Sequence, residues 1–401
     1  MKTGFDYASA ARIAFAVAVL LAGLLALFKP PSYSFWKLSI VVMEGGHFTV
    51  LPLLVLAFWS FKSAGSGRAA AALFLVAAFL FAFTSLRALG VAAALEKGFV
   101  AKWGTDLRPP TGSFQRERTL SWVDLFKGIP VPADSPRTLV YARKSDRDLR
   151  MDFYPAAGAP VARGPAAQSG AGPAPCVVVV HGGGWDGGTR SQLAELNAFL
   201  AAEGYAVATL EYRLAPKHLY PAPVEDVTDA IAFLRAHAAE LGIDSSRFAL
   251  LGRSAGGQIA LQVAYTLKDP GIKGVIAFYA PADMVFGYSL PTNPLIMDSR
   301  LLMKQYIGGR YEDHPEKYVA SSPVEHLDKA SPPTLLLHGR PDVLVSYRHT
   351  VHMRAKLEVL GVKHFIVDIP WGAHGFDYVF RGPGSQISLY FIERFLAGVL
   401  L

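Results

Sequence analysis

The stretch Leu250-Leu251-Gly252-Arg253-Ser254-Ala255-Gly256-Gly257 decides the architecture. An apolar run of strand length, Phe248 to Gly252, meets the amphipathic run Gln258 to Leu267 with almost nothing between them. A strand that turns so directly into a helix strains the residue at its corner, and the residues two positions either side must be small to avoid colliding across the turn. Gly252, Ser254 and Gly256 fit the G-x-S-x-G pattern, which puts the Ser254 hydroxyl at a helix N-terminus. The same five residues could make a tight turn and nothing more, so the surroundings must decide.

Outward from this corner, apolar runs of strand length alternate with helical patterns. The runs are 139–142, 149–154, 176–181, 206–211, 248–252, 275–279, 334–338 and 364–369. This alternation predicts an α/β domain over 138–401, with a mostly parallel eight-stranded sheet flanked by helices. Residues 281–332 are too long for an ordinary connection and contain Met284, Phe286, Tyr288, Leu301, Leu302 and Tyr306, so they read as a small cap. Residues 156–175, rich in Ala, Gly and Pro, read as a surface excursion.

A serine hydroxyl is a weak nucleophile without a base, and the base needs an acid to fix its tautomer and to stabilise the imidazolium. Asp342, in His338-Gly-Arg-Pro-Asp342, and His374, in Trp371-Gly-Ala-His374-Gly-Phe376, follow the last two strands. They lie at carboxyl ends of strands, where functional loops of open α/β sheets gather. Asp342 could instead cap the next helix, and a lone histidine is often structural; the order Ser, Asp, His after successive strands makes them a candidate relay. Upstream, His181-Gly182-Gly183-Gly184-Trp185 closes another strand and offers backbone N–H groups with no side chain to obstruct them. Such a loop suits an oxyanion. A phosphate cradle would need a Gly-Lys-Ser/Thr that does not follow.

The amino-terminal quarter has a different grammar. Residues 13–28 carry no charge, a second apolar stretch runs from 38 to 61 and a third from 69 to about 89, which predicts three transmembrane helices over 1–95 and a linker over 96–137. Only 18% of the chain is charged, against about 25% in soluble domains. The net charge of +7 arises in residues 1–118, with 12 Lys/Arg against 5 Asp/Glu; the remainder is balanced, 27 against 27. That distribution points to anionic lipid and away from nucleic acid. Flanking charges favour neither orientation. Glu44 and His47, three apart in the second stretch, share a helical face and read either as a polar contact or lipid-headgroup site or as an interhelical hydrogen bond. The single cysteine, Cys176, makes neither an intrachain disulfide nor a Cys-built metal site.

Four motifs together, His181-Gly-Gly-Gly184, Glu211-Tyr-Arg-Leu-Ala-Pro216, Tyr220-Pro-Ala-Pro-Val-Glu-Asp226 and Gly252-Arg-Ser-Ala-Gly-Gly257, make residues 138–400 similar to α/β-hydrolases of the hormone-sensitive-lipase-like carboxylesterase group. The resemblance implies Ser254 as nucleophile, His374 as general base and acid, and Asp342 as its orienting acid. It further implies Gly183, Gly184 and Ala255 as oxyanion donors, with His181 and the 211–213 segment bracing the glycine loop. Arg253 stands where this group often carries an acid, which places a cation beside the nucleophile. Substrate contacts are expected from Trp185, Arg253 and Phe286. The expectation is a multi-pass membrane serine hydrolase of carboxylic esters, with an ester or lipid-like substrate, the bilayer as partner, and no metal or cofactor. A peptidase or amidase, an acyltransferase, and an inactive membrane scaffold are the alternatives.

Overall fold

The computed structural model describes residues 7–63, 66–132, 136–158 and 172–401. Most of the Ala/Gly/Pro-rich loop, 159–171, lies outside them. Four helices come first: α1 (Tyr7–Gly23), α2 (Tyr33–Gly45), α3 (His47–Phe61) and α4 (Gly67–Trp103). A short α5 (Trp122–Lys127) leads to strands β1 (Arg137–Arg143) and β2 (Asp148–Tyr154). Two helices, Tyr7–Ala26 with its 3-10 extension and Gly67–Trp103, are long and apolar enough to cross a membrane; α2 and α3 together make a third candidate, bent by 85°.

The expected single helix over 38–61 is therefore broken. Gly46 is the reason: a Cβ there would strike the carbonyls of Val42 and Phe81, so only glycine lets this corner rest on α4. The Thr84 hydroxyl of α4 donates to the Met43 carbonyl at 2.7 Å, satisfying an acceptor that the break leaves free. Beyond the corner, α3 and α4 form a hairpin whose inner face mixes small residues, Ala57, Ala70, Ala77 and Ala78, with Leu53, Phe74 and Phe81. Small residues let helix backbones approach closely where lipid offers no hydrophobic drive between helices. The third helix also runs further than expected, through Leu95 to Trp103.

The remaining strands are β3 (Ala174–Val180), β4 (Ala206–Leu210), β5 (Ile243–Arg253), β6 (Ile272–Phe278), β7 (Thr334–Gly339) and β8 (His364–Ile369). They form one eight-stranded sheet in the order β1-β2-β4-β3-β5-β6-β7-β8, in which β2 pairs antiparallel with β1 and β4 and the rest is parallel. Every residue of β3 is buried, as the unbroken run Cys176-Val-Val-Val-Val180 demands of a central strand covered on both faces. Helices α6 (Ala194–Ala202), α7 (Ala222–Ala236), α8 (Ala238–Leu241) and α9 (Ala255–Thr266) follow in chain order. The cap comprises α10 (Met284–Ser289), α11 (Ser299–Ile307) and α12 (Pro315–Ala320), and α13 (Arg348–Leu360) and α14 (Pro383–Leu400) complete the layers.

One sheet face packs against α7 and α9; the other carries a core shared with the amino-terminal helices. Phe99 and Trp103 of α4 meet Phe365, Phe391 and Phe395 at ring separations of 5.0–5.4 Å. Fully burying one such side chain contributes about 1.5–3 kcal/mol, so the end of α4 is fastened to the sheet rather than trailing into a linker.

Candidate active site

The corner at Ser254 has the geometry its sequence requires. Ser254 sits at φ 51°, ψ −122°, where a side chain is strained, and α9 begins at the next residue. A Cβ on Gly252 would collide with the Gly256 carbonyl, and one on Gly256 with the carbonyls of Val180 and His181. Both glycines are therefore steric necessities. The neighbouring strand holds the corner from below, with Ser254 N–H donating to the Phe278 carbonyl at 2.9 Å.

Three side chains distant in sequence meet at the carboxyl ends of β5, β7 and β8. His374 Nε2 lies 3.0 Å from Ser254 Oγ, and His374 Nδ1 lies 2.8 Å from Asp342 Oδ2. Asp342 is buried; its Oδ1 accepts from Leu344 and Val345 N–H, each at 2.9 Å, and His338 Nε2 stands 3.2 Å from Oδ2. Burial alone would raise this carboxyl, but the charge and hydrogen bonds of His374 and His338 outweigh it and hold the group well below the usual carboxylate range. His338 in turn is fixed between the Thr350 hydroxyl and the Val345 carbonyl.

Across from Ser254, Gly183 and Gly184 have φ of +133° and +61°, and a Cβ on Gly183 would strike the Gly187 carbonyl. Among the described residues, the N–H groups of Gly183, Gly184 and Ala255 donate to no other protein group. Three such amides around one serine suit a developing negative charge. The loop is braced as the sequence resemblance implies: His181 stacks on Tyr212 at 4.2 Å, Tyr212 donates to the His181 carbonyl, and Arg213 pairs with the buried Asp226.

The expected substrate contacts fare unequally. Trp185 lines the cleft but is largely buried, stacked on Tyr306 at 4.8 Å with its Nε1 donating to Gln258 Oε1 at 2.9 Å. Arg253 lines the cleft too but does not offer it a free cation: its side chain is 4% exposed and its Nε lies 2.5 Å from Asp377 Oδ2. A buried guanidinium must be paired, and Asp377 also accepts from Tyr279. Phe286 lies outside the cleft lining, packed instead against His349 and His352. Tyr279, whose ring is 4.3 Å from that of His374, has no sequence signature that points to the site.

The amino-terminal helices reach this site, which the sequence did not foretell. Trp36 Nε1 of α2 donates to the His374 carbonyl at 3.0 Å. Glu44 and His47 each make an interhelical hydrogen bond, as one of the two readings expected, but to different helices. The bend at Gly46 turns α2 onto the sheet domain, where the buried Glu44 carboxyl accepts from Trp371 Nε1 at 3.0 Å and Gly384 N–H at 2.8 Å. His47 instead bonds the Leu125 carbonyl of α5. Around Ser254 the structure encloses a cleft of about 610 Å³, within the range of small-molecule sites.

Comparison with known proteins points to esterases and to the same fold. The BD-FAE family model matches residues 165–357. Esterase LipC of Mycobacterium tuberculosis is 28% identical over 239 residues, 55% of this chain and 59% of LipC. The probable carboxylic ester hydrolase LipM of the same organism is 27% identical, over 57% of this chain and 55% of LipM. The chain thus spans somewhat over half the length of these curated relatives. Among solved structures, a bacterial heroin esterase aligns with a TM-score of 0.56 at 27% identity, covering 67% of this chain and 84% of that one. An esterase from Pyrobaculum calidifontis, at 23% identity and a TM-score of 0.55 over 67% of this chain and 86% of its own, shares the fold. The chain has the α/β-hydrolase fold and is similar to esterases of the hormone-sensitive-lipase-like carboxylesterase group.

Proposed function

We propose that this protein is a membrane-anchored serine hydrolase that cleaves carboxylic esters through an acyl-enzyme. Ser254 Oγ attacks the acyl carbonyl while its proton passes to His374 Nε2, and Asp342 holds Nδ1–H and offsets the imidazolium charge. The amides of Gly183, Gly184 and Ala255 receive the oxyanion. Collapse returns the proton from His374 to the leaving alcohol; water, deprotonated by the same nitrogen, then releases the acid and restores Ser254. The observation that carries this reading is the unbroken line from Ser254 through His374 to Asp342, at 3.0 and 2.8 Å, opening on a cleft with unpartnered amides.

The esterase relatives favour an ester over an amide, and the apolar amino-terminal helices support anchoring of residues 1–95 in a bilayer. Two assays test the proposal. A fluorophosphonate should label the wild-type protein and not Ser254→Ala, and a short-chain fluorogenic ester should turn over where the matching anilide does not. Faster turnover of the anilide would favour the amidase reading; no labelling at all would favour an inactive scaffold. Retention in the membrane pellet after alkaline extraction tests the anchor.

A further inference from the structure

Resting on that reading, we propose that the substrate is an amphiphilic ester resident in the bilayer, and that it reaches Ser254 along a wall formed by residues 29–36. Lys29, Pro30, Tyr33 and Trp36 line the same cleft as Ser254 and His374. They follow the apolar helix Tyr7–Ala26 after two intervening residues, so the wall begins where a first span ends.

The wall is fastened in place at three points. Tyr33 N–H donates to the carbonyl of cap residue Leu295 at 3.1 Å, Trp36 bonds the His374 carbonyl, and Glu44 bonds Trp371 and Gly384. With these bonds α2 lies at 85° to α3. Its inner face, Ile40 and Met43, joins the core of the sheet domain, whereas Phe35, Leu38 and Val41 are 38–60% exposed on the outer one. Along the chain that outer face is preceded by exposed Leu27 and Phe28 and followed by exposed Phe48, residues that adjoin the apolar helices themselves. A helix set crosswise to a membrane hairpin, apolar outward and bearing Lys37, has the character of an interfacial helix lying in the plane of the headgroups. Lipid is the occupant that this succession names. The cleft mouth then lies at the membrane surface, with Pro30, Tyr33 and Trp36 on one side and Leu290, Ile296 and Leu302 of the cap available to an acyl chain on the other.

The test uses the full chain reconstituted in phosphatidylcholine vesicles, with a water-soluble fluorogenic acetate and a long-acyl fluorogenic ester embedded in the same vesicles. Phe35→Gln combined with Val41→Gln removes apolar surface from the outer face, away from the cleft. It should lower kcat/KM for the embedded ester about tenfold and for the acetate less than about twofold. Equal loss on both esters, or no loss on the embedded one, overturns the proposal. A second measurement needs no variant: a vesicle ester with a diazirine on its acyl chain should crosslink, on illumination, to peptides containing residues 29–36. Crosslinks confined to α3 and α4 overturn the route. Loss of both activities in Ser254→Ala keeps a failure of the route distinct from a failure of the hydrolase reading.

Discussion

Phe79 and Phe99 lie twenty residues apart on one continuous helix and occupy opposite surroundings. Phe79 is 58% exposed, beside exposed Leu75 and Val76, with the alanines of the same turns facing inward; Phe99 is 2% exposed, among the rings of the sheet domain. Along α3 and the first half of α4 many large apolar side chains face out, Leu51, Phe58, Leu75 and Phe79 among them, while alanines share the inner face with Leu53, Phe74 and Phe81; in the sheet domain the large apolar side chains are mostly inside. Water would punish the first arrangement, since an apolar patch of this extent is rare on a soluble surface. Lipid would not. With the proposed anchoring, the helix would change solvent along its length, and its carboxyl end is where the exposed apolar face gives way to the packed sheet domain.

The sharpest way to separate the two regions is through the chemistry. Ser254→Ala should lower ester turnover by about 10⁴-fold or more while leaving membrane retention unchanged, measured as kcat/KM and by alkaline extraction. The Phe pair comes next. Phe99→Ala should destabilise the sheet domain by about 3–5 kcal/mol, whereas Phe79→Ala should stay within about 0.5 kcal/mol, read by thermal unfolding in one detergent. Equal costs would mean that the outward residues are packed against protein, and the comparison would fail.

A smaller effect probes the joint itself. Trp36→Phe keeps the ring but removes the donor to the His374 carbonyl, so kcat on a soluble ester should fall about tenfold, with less change in KM. An unchanged kcat would mean that α2 does not steady the histidine loop. The smallest effect is in pH. Asp342 is held below its ordinary pKa, so its charged form stabilises the fold above the unfolded carboxylate pKa of about 4, and that contribution is lost as pH falls toward the folded value. The stability difference between wild type and Asp342→Asn should therefore be constant above about pH 5 and shrink below about pH 4, by denaturant titration. A difference that grows on acidification would contradict the assignment of charge.

Much of this was legible in the residues. All eight strands lie where apolar runs meet turn residues, because a sheet covered on both faces leaves few other places for Val-Val-Val-Val. Ser254, Asp342 and His374 could be picked out because each follows a strand, and the sheet brings those strand ends together. Less could be read where a partner is chosen across the chain. Arg253 looked like a cation for substrate, and its pairing with Asp377, 124 positions on, leaves no periodic trace. Phe286 looked like a pocket residue because it is apolar and in the cap, yet which side of a short helix faces a cleft depends on how the cap sits. For Glu44 an interhelical bond could be expected but its partners, Trp371 and Gly384, could not be named, because nothing local announces an 85° turn; Gly45-Gly46 only permits one.

Local chemistry therefore determined where the strands lie, the strained serine corner, the glycine loop and the apolar character of the first helices. Such features depend on side-chain size, backbone freedom and periodicity, all of which are written residue by residue. Only the tertiary structure decided that the amino-terminal helices share a core with the sheet, that α2 supplies a wall of the cleft, and that Glu44 and Trp36 hold the histidine loop. Those outcomes depend on which surfaces meet when two elements pack, and packing selects among partners that are equivalent as long as they are only neighbours in a string.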